Sequence, residues 1–184
     1  MSEVRPGLVV YGDFNCPFSA LASARVERIE QMDLARVEWR AVEHDLDIPQ
    51  EGVEIAGPLR TALTDELAWI ETMLHPGEPF RLRLPACQVR TALATSRYAG
   101  TSDPDRAALR SVIFAAHWGG DRRIDDPATL DDLGAGPVDA DTAQRWRSSW
   151  HRATDPIVPV LVLPDGYVSR GVGALRRLGA LLGG

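Results

Sequence analysis

Residues 7–12, GLVVYG, form an apolar and aromatic run bounded by glycines, the pattern of a buried strand. From Pro17 to about Met32 the period changes. Ala22, Val26, Ile29 and Met32 fall on one stripe, with Arg25, Glu27, Arg28 and Glu30 mostly off it, which predicts an amphipathic helix. ARVEWRAVE then alternates Val37, Trp39 and Ala41 against Arg36, Glu38 and Arg40, the period of a strand. Strand, helix and strand within the first 43 residues predict a βαβ unit with parallel pairing.

The middle of the chain reads as helical. Leu59, Leu63, Leu67, Ile70 and Leu74 keep helical spacing up to the HPG stop. Residues 86–98 repeat the pattern less cleanly, as a helix led by LPAC. Asp103 is expected to cap a further helix, with Pro104 at its first position and Leu109, Val112, Ile113 and Ala116 along it. DDPATLDDL predicts a short turn of helix, and residues 139–153 a longer one bearing Trp146 and Trp150. Strands return in IVPVLVLPDGYVSRG, two β-rich runs around a Pro-Asp-Gly turn, before a last helix carrying Leu175, Leu178 and Leu182. There is no internal repeat and no low-complexity segment.

Composition narrows the class. A chain of 184 residues with 45% hydrophobic and 25% charged content can bury a core without staples. The net charge of −6 is dispersed, which argues against nucleic acid or an anionic membrane as partner. All 20 basic residues are arginine, a genome-wide bias rather than a functional demand. MSEVRPG has no apolar targeting core and no stretch approaches a membrane span, so a cytoplasmic protein without structural disulfides is expected. Cys16 and Cys87 form no C-x-x-C, and the four histidines are scattered, so no metal site is expected.

Cys16 is the candidate for chemistry. It stands between the first strand and the first helix, where unpaired amides and the helix dipole favour thiolate over thiol. Cysteines so placed titrate below the free value of about 8.5. Pro17 suits the first helical position, and Ser19 can return a hydroxyl hydrogen bond to the sulfur. A lone cysteine is equally readable as a small buried hydrophobe, and spacing alone does not separate the two.

YGDFNCPFSALA, following a strand and opening a helix, resembles the active-site segment of the DsbA-like thioredoxin-fold family. That family includes the kappa-class glutathione transferases and the 2-hydroxychromene-2-carboxylate isomerases. RLPACQVRTALATSRYAG, FAAHWGGDRRIDDPATLDDL and IVPVLVLPDGYVSRGVGALRRL resemble later family segments in the same order. The resemblance implies an α/β thioredoxin fold with an inserted all-helical domain. The expected division is 1–54 and 136–184 for the thioredoxin-like part and 55–135 for the insertion. It implies Cys16 as the working sulfur, with Pro17, Phe18 and Ser19 completing a C-P-F-S motif. It also implies a cis Pro159 facing that sulfur, with the Val158 backbone pairing with a thiol peptide such as glutathione.

The motif departs from the family's patterns. Disulfide oxidases carry C-x-x-C, whereas the transferase and isomerase branch usually has S-P-Y-S. This chain stands between them. With Ser19 in the fourth place, a mixed disulfide at Cys16 needs an outside thiol to resolve it.

Other residues carry two readings each. Cys87 is either a second sulfur in the cleft or a buried cysteine near a helix start. His44, after the second strand, is either a base facing the cleft or a solvated histidine. His117 and Trp118 line the cleft or pack the core. Trp146 and Trp150 read as core, and His75 as a helix-end cation. Arg122 and Arg123 greet a carboxylate of a thiol peptide or sit in a solvated loop.

Three functions follow. The first is a cytoplasmic thiol–disulfide oxidoreductase working through one cysteine, with no tightly bound cofactor and glutathione or another small thiol as resolving partner. The second is a glutathione-dependent transferase or isomerase acting on a small electrophile. The third is a non-catalytic binding domain. Cys16 favours the first; oligomeric state is left open.

Overall fold

The computed structural model describes residues 7–153 and 156–183; the reading of the N-terminal segment 1–6 lies outside the described residues. β1 (Gly7–Gly12), α1 (Pro17–Gln31) and β2 (Arg36–Ala41) form the expected βαβ unit, with β1 and β2 parallel and Val10 opposite Trp39. β5 (Val160–Val162) joins the other edge of β1 antiparallel, and β6 (Val168–Arg170) closes a hairpin with it, giving the order β2-β1-β5-β6. This is a thioredoxin-like sheet. β1 lies inside it, which is why its sequence is apolar rather than alternating. β2 lies at the edge and buries only one face, Trp39 and Ala41, which is why it alternates.

The inserted helices are α2 (Gly57–Thr72), α3 (Ala92–Ala99), α4 (Asp103–Trp118) and α5 (Pro127–Asp132), followed by α6 (Ala140–Ala153); α7 (Val172–Leu182) ends the fold. They share one core with the sheet: Val10, Leu21 and Leu161 belong to the same buried cluster as Ile70, Ile113 and Trp146. A Cβ on Gly12 would stand 2.3 Å from Cζ2 of Trp39, so the end of β1 adjoining the candidate site admits only glycine against that ring.

Three expectations are corrected. Residues 86–98 are not one helix: Cys87–Gln88 is a short strand, β4, paired antiparallel with β3 (Val53–Glu54), and the helix starts at Ala92. Thr91 precedes it with its amide on Glu43 and its hydroxyl on Asp13, partners that hold the chain out of helix there. Ser102 rather than Asp103 occupies the cap of α4, with Pro104 still in the first turn. Arg25 is buried at 1% exposure, not on a solvated face. Its guanidinium is paired bidentate with Glu78, at 2.8 and 2.9 Å, and bonds the carbonyls of Met73 and Leu175, tying α1 to α7 and to the loop after α2.

Candidate active site

Cys16 occupies the N-cap of α1 with extended backbone angles, and Pro17 begins the helix. Its amide donates to the Asp13 carbonyl at 3.1 Å, and its carbonyl accepts from Ala20 N–H, so the turn entering the helix is fixed on both sides of the sulfur. α4 holds the same turn from the insertion. Trp118 Nε1 donates to the Phe14 carbonyl at 2.9 Å, and His117 Nε2 lies 3.0 Å from Asn15 Oδ1. Burial pushes His117 down to about 4, so at neutral pH it is an uncharged peg. Both residues therefore position the Cys16 loop from inside the core, between the two readings their sequence allowed.

Asp13 organises the rest. Only 1% exposed, its carboxylate accepts from Asn15 N–H (3.0 Å), the Thr91 hydroxyl (2.8 Å) and His44 N–H (2.8 Å). The fourth partner is His44 Nδ1 at 2.7 Å; a carboxylate only accepts, so Nδ1 carries the proton of that bond. The Asp13 amide donates to Ser19 Oγ at 3.2 Å, so Ser19, fully buried, is tied to the same carboxylate-bearing residue. Burial works to lower the His44 pKa, but the Asp13 bond and charge outweigh it and the net direction is up.

The sulfur differs from its local expectation. Cys16 is 7% exposed, and burial pushes its thiol up from 9.0 to about 11. Hydrogen bonds from the backbone and hydroxyl of Ser19 and the backbone of Phe18 pull the other way, and the Asp13 charge adds to the rise. The helix N-terminus supplies the donors that sequence led us to expect; the core around it supplies a larger desolvation.

A cleft of about 530 Å³ opens onto Cys16, walled by Pro17, Phe18, His44, Leu63, Glu66, Trp69, Gln88 and Val158. Trp69 of α2 meets the Phe18 ring edge-on at 5.5 Å between centroids. The Val158–Pro159 bond is cis, as the resemblance implied, and Val158 lines the cleft at the start of the β5 segment. So Cys16, Pro17, Phe18, His44 and Val158 come together at the cleft, and Ser19 and Pro159, their chain neighbours, are buried.

Cys87 does not join them. Successive strand residues point to opposite sides: Gln88 lines the cleft, whereas the Cys87 sulfur faces Gly52 and Arg123, with Arg123 Nη1 at 3.9 Å. Both cysteines are free thiols. Arg122 and Arg123 are paired with Asp132 and Asp125 and do not line the cleft. Sequence reasoning passed over Asp13, Glu66 and Trp69. Asp13 had a signal, a charged residue ending an otherwise apolar strand three positions before the cysteine. Among the described residues, no group of three or more His, Cys, Asp or Glu is placed to hold a metal ion, and no helix is long and apolar enough to cross a membrane.

A thioredoxin-like sheet whose first helix is capped by a cysteine, in a cleft also lined by Val158 of the cis Val158–Pro159 bond, defines the class. The model of the DSBA-like thioredoxin domain matches residues 7–145, and the chain belongs to that family. No curated protein matches the chain. Among solved structures, a probable DsbA oxidoreductase from Streptomyces coelicolor superposes with a TM-score of 0.71 at 16% identity, covering 97% of this chain and 90% of that one. A 2-hydroxychromene-2-carboxylate isomerase has a TM-score of 0.66 at 22% identity, covering 96% and 94%. The cytosolic disulfide reductase DsbM from Pseudomonas aeruginosa, with GSH, also has a TM-score of 0.66, at 18% identity and covering 96% and 97%. These neighbours, oxidoreductases and an isomerase by name, share the thioredoxin-like fold of this chain.

Proposed function

We propose that the chain is a cytoplasmic thiol–disulfide oxidoreductase that works through Cys16 alone in the reducing direction, with a small thiol, glutathione or another, as resolving partner. The observation that carries this reading is a single sulfur at the base of an open cleft, with Ser19 where a second cysteine would stand and Cys87 turned to the far side of β4. A reducing compartment suits a site that depends on an outside thiol.

In the reaction, the Cys16 thiolate attacks one sulfur of a disulfide X–S–S–X. The S–S bond breaks, Cys16–S–S–X forms, and X–S⁻ leaves and takes up a proton. A thiolate R–S⁻ then attacks the X sulfur, releasing Cys16 and R–S–S–X, which a further R–SH reduces in solution. The raised Cys16 pKa supports the reducing direction. A thiol of high pKa is a stronger nucleophile once ionised, which favours the first exchange and a stable mixed disulfide, while its poorer leaving ability makes the second exchange, driven by the outside thiol, the slower one; oxidising members of such folds instead stabilise the reduced form. His44 is the proposed acceptor of the Cys16 proton: it lines the same cleft, and Asp13 holds its Nδ1–H, leaving Nε2 for proton transfer.

The second reading, a glutathione-dependent transferase or isomerase, is favoured by one observation. A thiol kept protonated by burial can donate a hydrogen bond to a bound thiolate, as a serine hydroxyl in the first position would.

The test is turnover of a small disulfide by the full chain at pH 7 with a small thiol supplied. His44→Gln is expected to lower the rate about 100-fold, and Cys87→Ser to leave it within about twofold. The wild-type rate should fall on acidification through a His44 pKa above its ordinary 6.5. Loss of turnover in Cys87→Ser contradicts the single-sulfur mechanism.

A further inference from the structure

The charged groups of the cleft are unbalanced. Among the described residues that line it there is no arginine, and its carboxylates are Asp45 and Glu66. Among those described residues the titratable base is His44, already answered by Asp13. Glu66 projects from α2 and makes no hydrogen bond or ion pair among the described residues; it senses His44 only through its charge, and burial raises its pKa. The rest of the wall is aromatic and aliphatic, with Phe18 and the half-exposed Trp69 in edge contact.

Glutathione brings two carboxylates and one ammonium, a net negative charge, to any site that holds it, and no described residue of this lining offers a guanidinium to receive the carboxylates. The geometry points to Glu66, helped by Asp45, as the determinant that selects thiols and disulfides lacking carboxylates, cationic ones first, uncharged hydroxylated ones next and anionic ones last. An ammonium or hydroxyl entering beside Trp69 finds in Glu66 an acceptor without a competing partner, while an incoming carboxylate meets like charge in a partly desolvated cleft. This selectivity rests on the reading of Cys16 as the reacting sulfur and narrows its co-substrate to a class that excludes glutathione as the preferred thiol.

Methanethiosulfonates of the three charge types read the selection directly, because the Cys16 thiolate attacks the sulfenyl sulfur, expels methanesulfinate and keeps only the charged or neutral tail. The full chain carrying Cys87→Ser is treated with the trimethylammonioethyl, hydroxyethyl and sulfonatoethyl reagents, each rate divided by that of free cysteine. The cationic reagent is expected to lead the anionic one by about fivefold or more at low salt, and Glu66→Gln to shrink that ratio about threefold, the size a unit charge across a cleft produces. Asp45→Asn should shrink it less, and added salt should flatten it. Cystamine should likewise outpace glutathione disulfide in turnover. An anionic reagent as fast as the cationic one, or a ratio that Glu66→Gln leaves unmoved, overturns the inference while Cys16 stays the reactive sulfur. Failure of Cys16 to react with any of the three overturns the oxidoreductase reading, and the selectivity with it.

Discussion

Cys16→Ser is expected to remove disulfide reduction by about 10³-fold or more, to the rate of the small thiol alone, because no other sulfur faces the cleft. Its fold should be unchanged, since a hydroxyl fits where the thiol sits among donors from Ser19 and Phe18. The wild-type sulfur has its own signature. With a thiol near 11 in place of 9.0, the thiolate population at neutral pH is about 100-fold below that of a free cysteine. Alkylation of Cys16 by a neutral reagent should therefore climb about tenfold per pH unit without levelling until about pH 11. The same shift makes the folded state hold a proton that the unfolded chain releases. Stability from this group is full below the unfolded value and is lost as pH rises from 9.0 toward about 11. A plateau in alkylation near neutral pH would show a thiolate site instead and would remove the case for His44 as proton acceptor. In the transferase reading, Cys16→Ser restores an S-P-F-S motif, and glutathione conjugation would persist or rise in the same variant.

Asp13→Ala is the second large effect. The carboxylate receives four donors, the amides of Asn15 and His44, the Thr91 hydroxyl and the His44 ring, from three places in the chain that otherwise have no reason to meet. Leaving buried donors unpaired costs about 1–3 kcal/mol each, so the loss should be about 3 kcal/mol or more. That is a large part of the about 5–15 kcal/mol that holds a domain folded. Denaturant unfolding measures it. Asp13→Asn separates charge from hydrogen bonding: it keeps one acceptor oxygen and removes the negative charge, so the Cys16 thiol should move down and the His44 pKa should fall. Titration of both groups in that variant checks the two signs. A Cys16 pKa that rises in Asp13→Asn would contradict the assignment of Asp13 as a repulsive neighbour of the thiolate.

The parts of the fold legible in the sequence are those whose pattern is set by what they bury locally. β1 is apolar because it is interior, β2 alternates because it is an edge, and the Pro-Asp-Gly turn specifies the closing hairpin. The rest depends on partners far along the chain. Cys87 and Gln88 leave the helical pattern because Val53 and Glu54 offer a ladder, and no local period encodes that pairing. Arg25 reads as solvated until Glu78 and the carbonyls of Met73 and Leu175 arrive around it. Asp13 is a plain strand-end acid until Thr91 and His44 converge on it. The Cys16 pKa fails as a sequence inference for the same reason: helix position is local, whereas the burial that dominates it is assembled from the whole core.

The central claim is that Cys16 alone carries the disulfide chemistry. Its most direct test is the mass of the intact chain after incubation with cystamine, followed by peptide mapping. A single adduct is expected on the peptide holding Cys16, released by a second small thiol without any Cys16–Cys87 disulfide forming. An adduct confined to Cys87, or collapse of the Cys16 adduct to an internal disulfide, would contradict it.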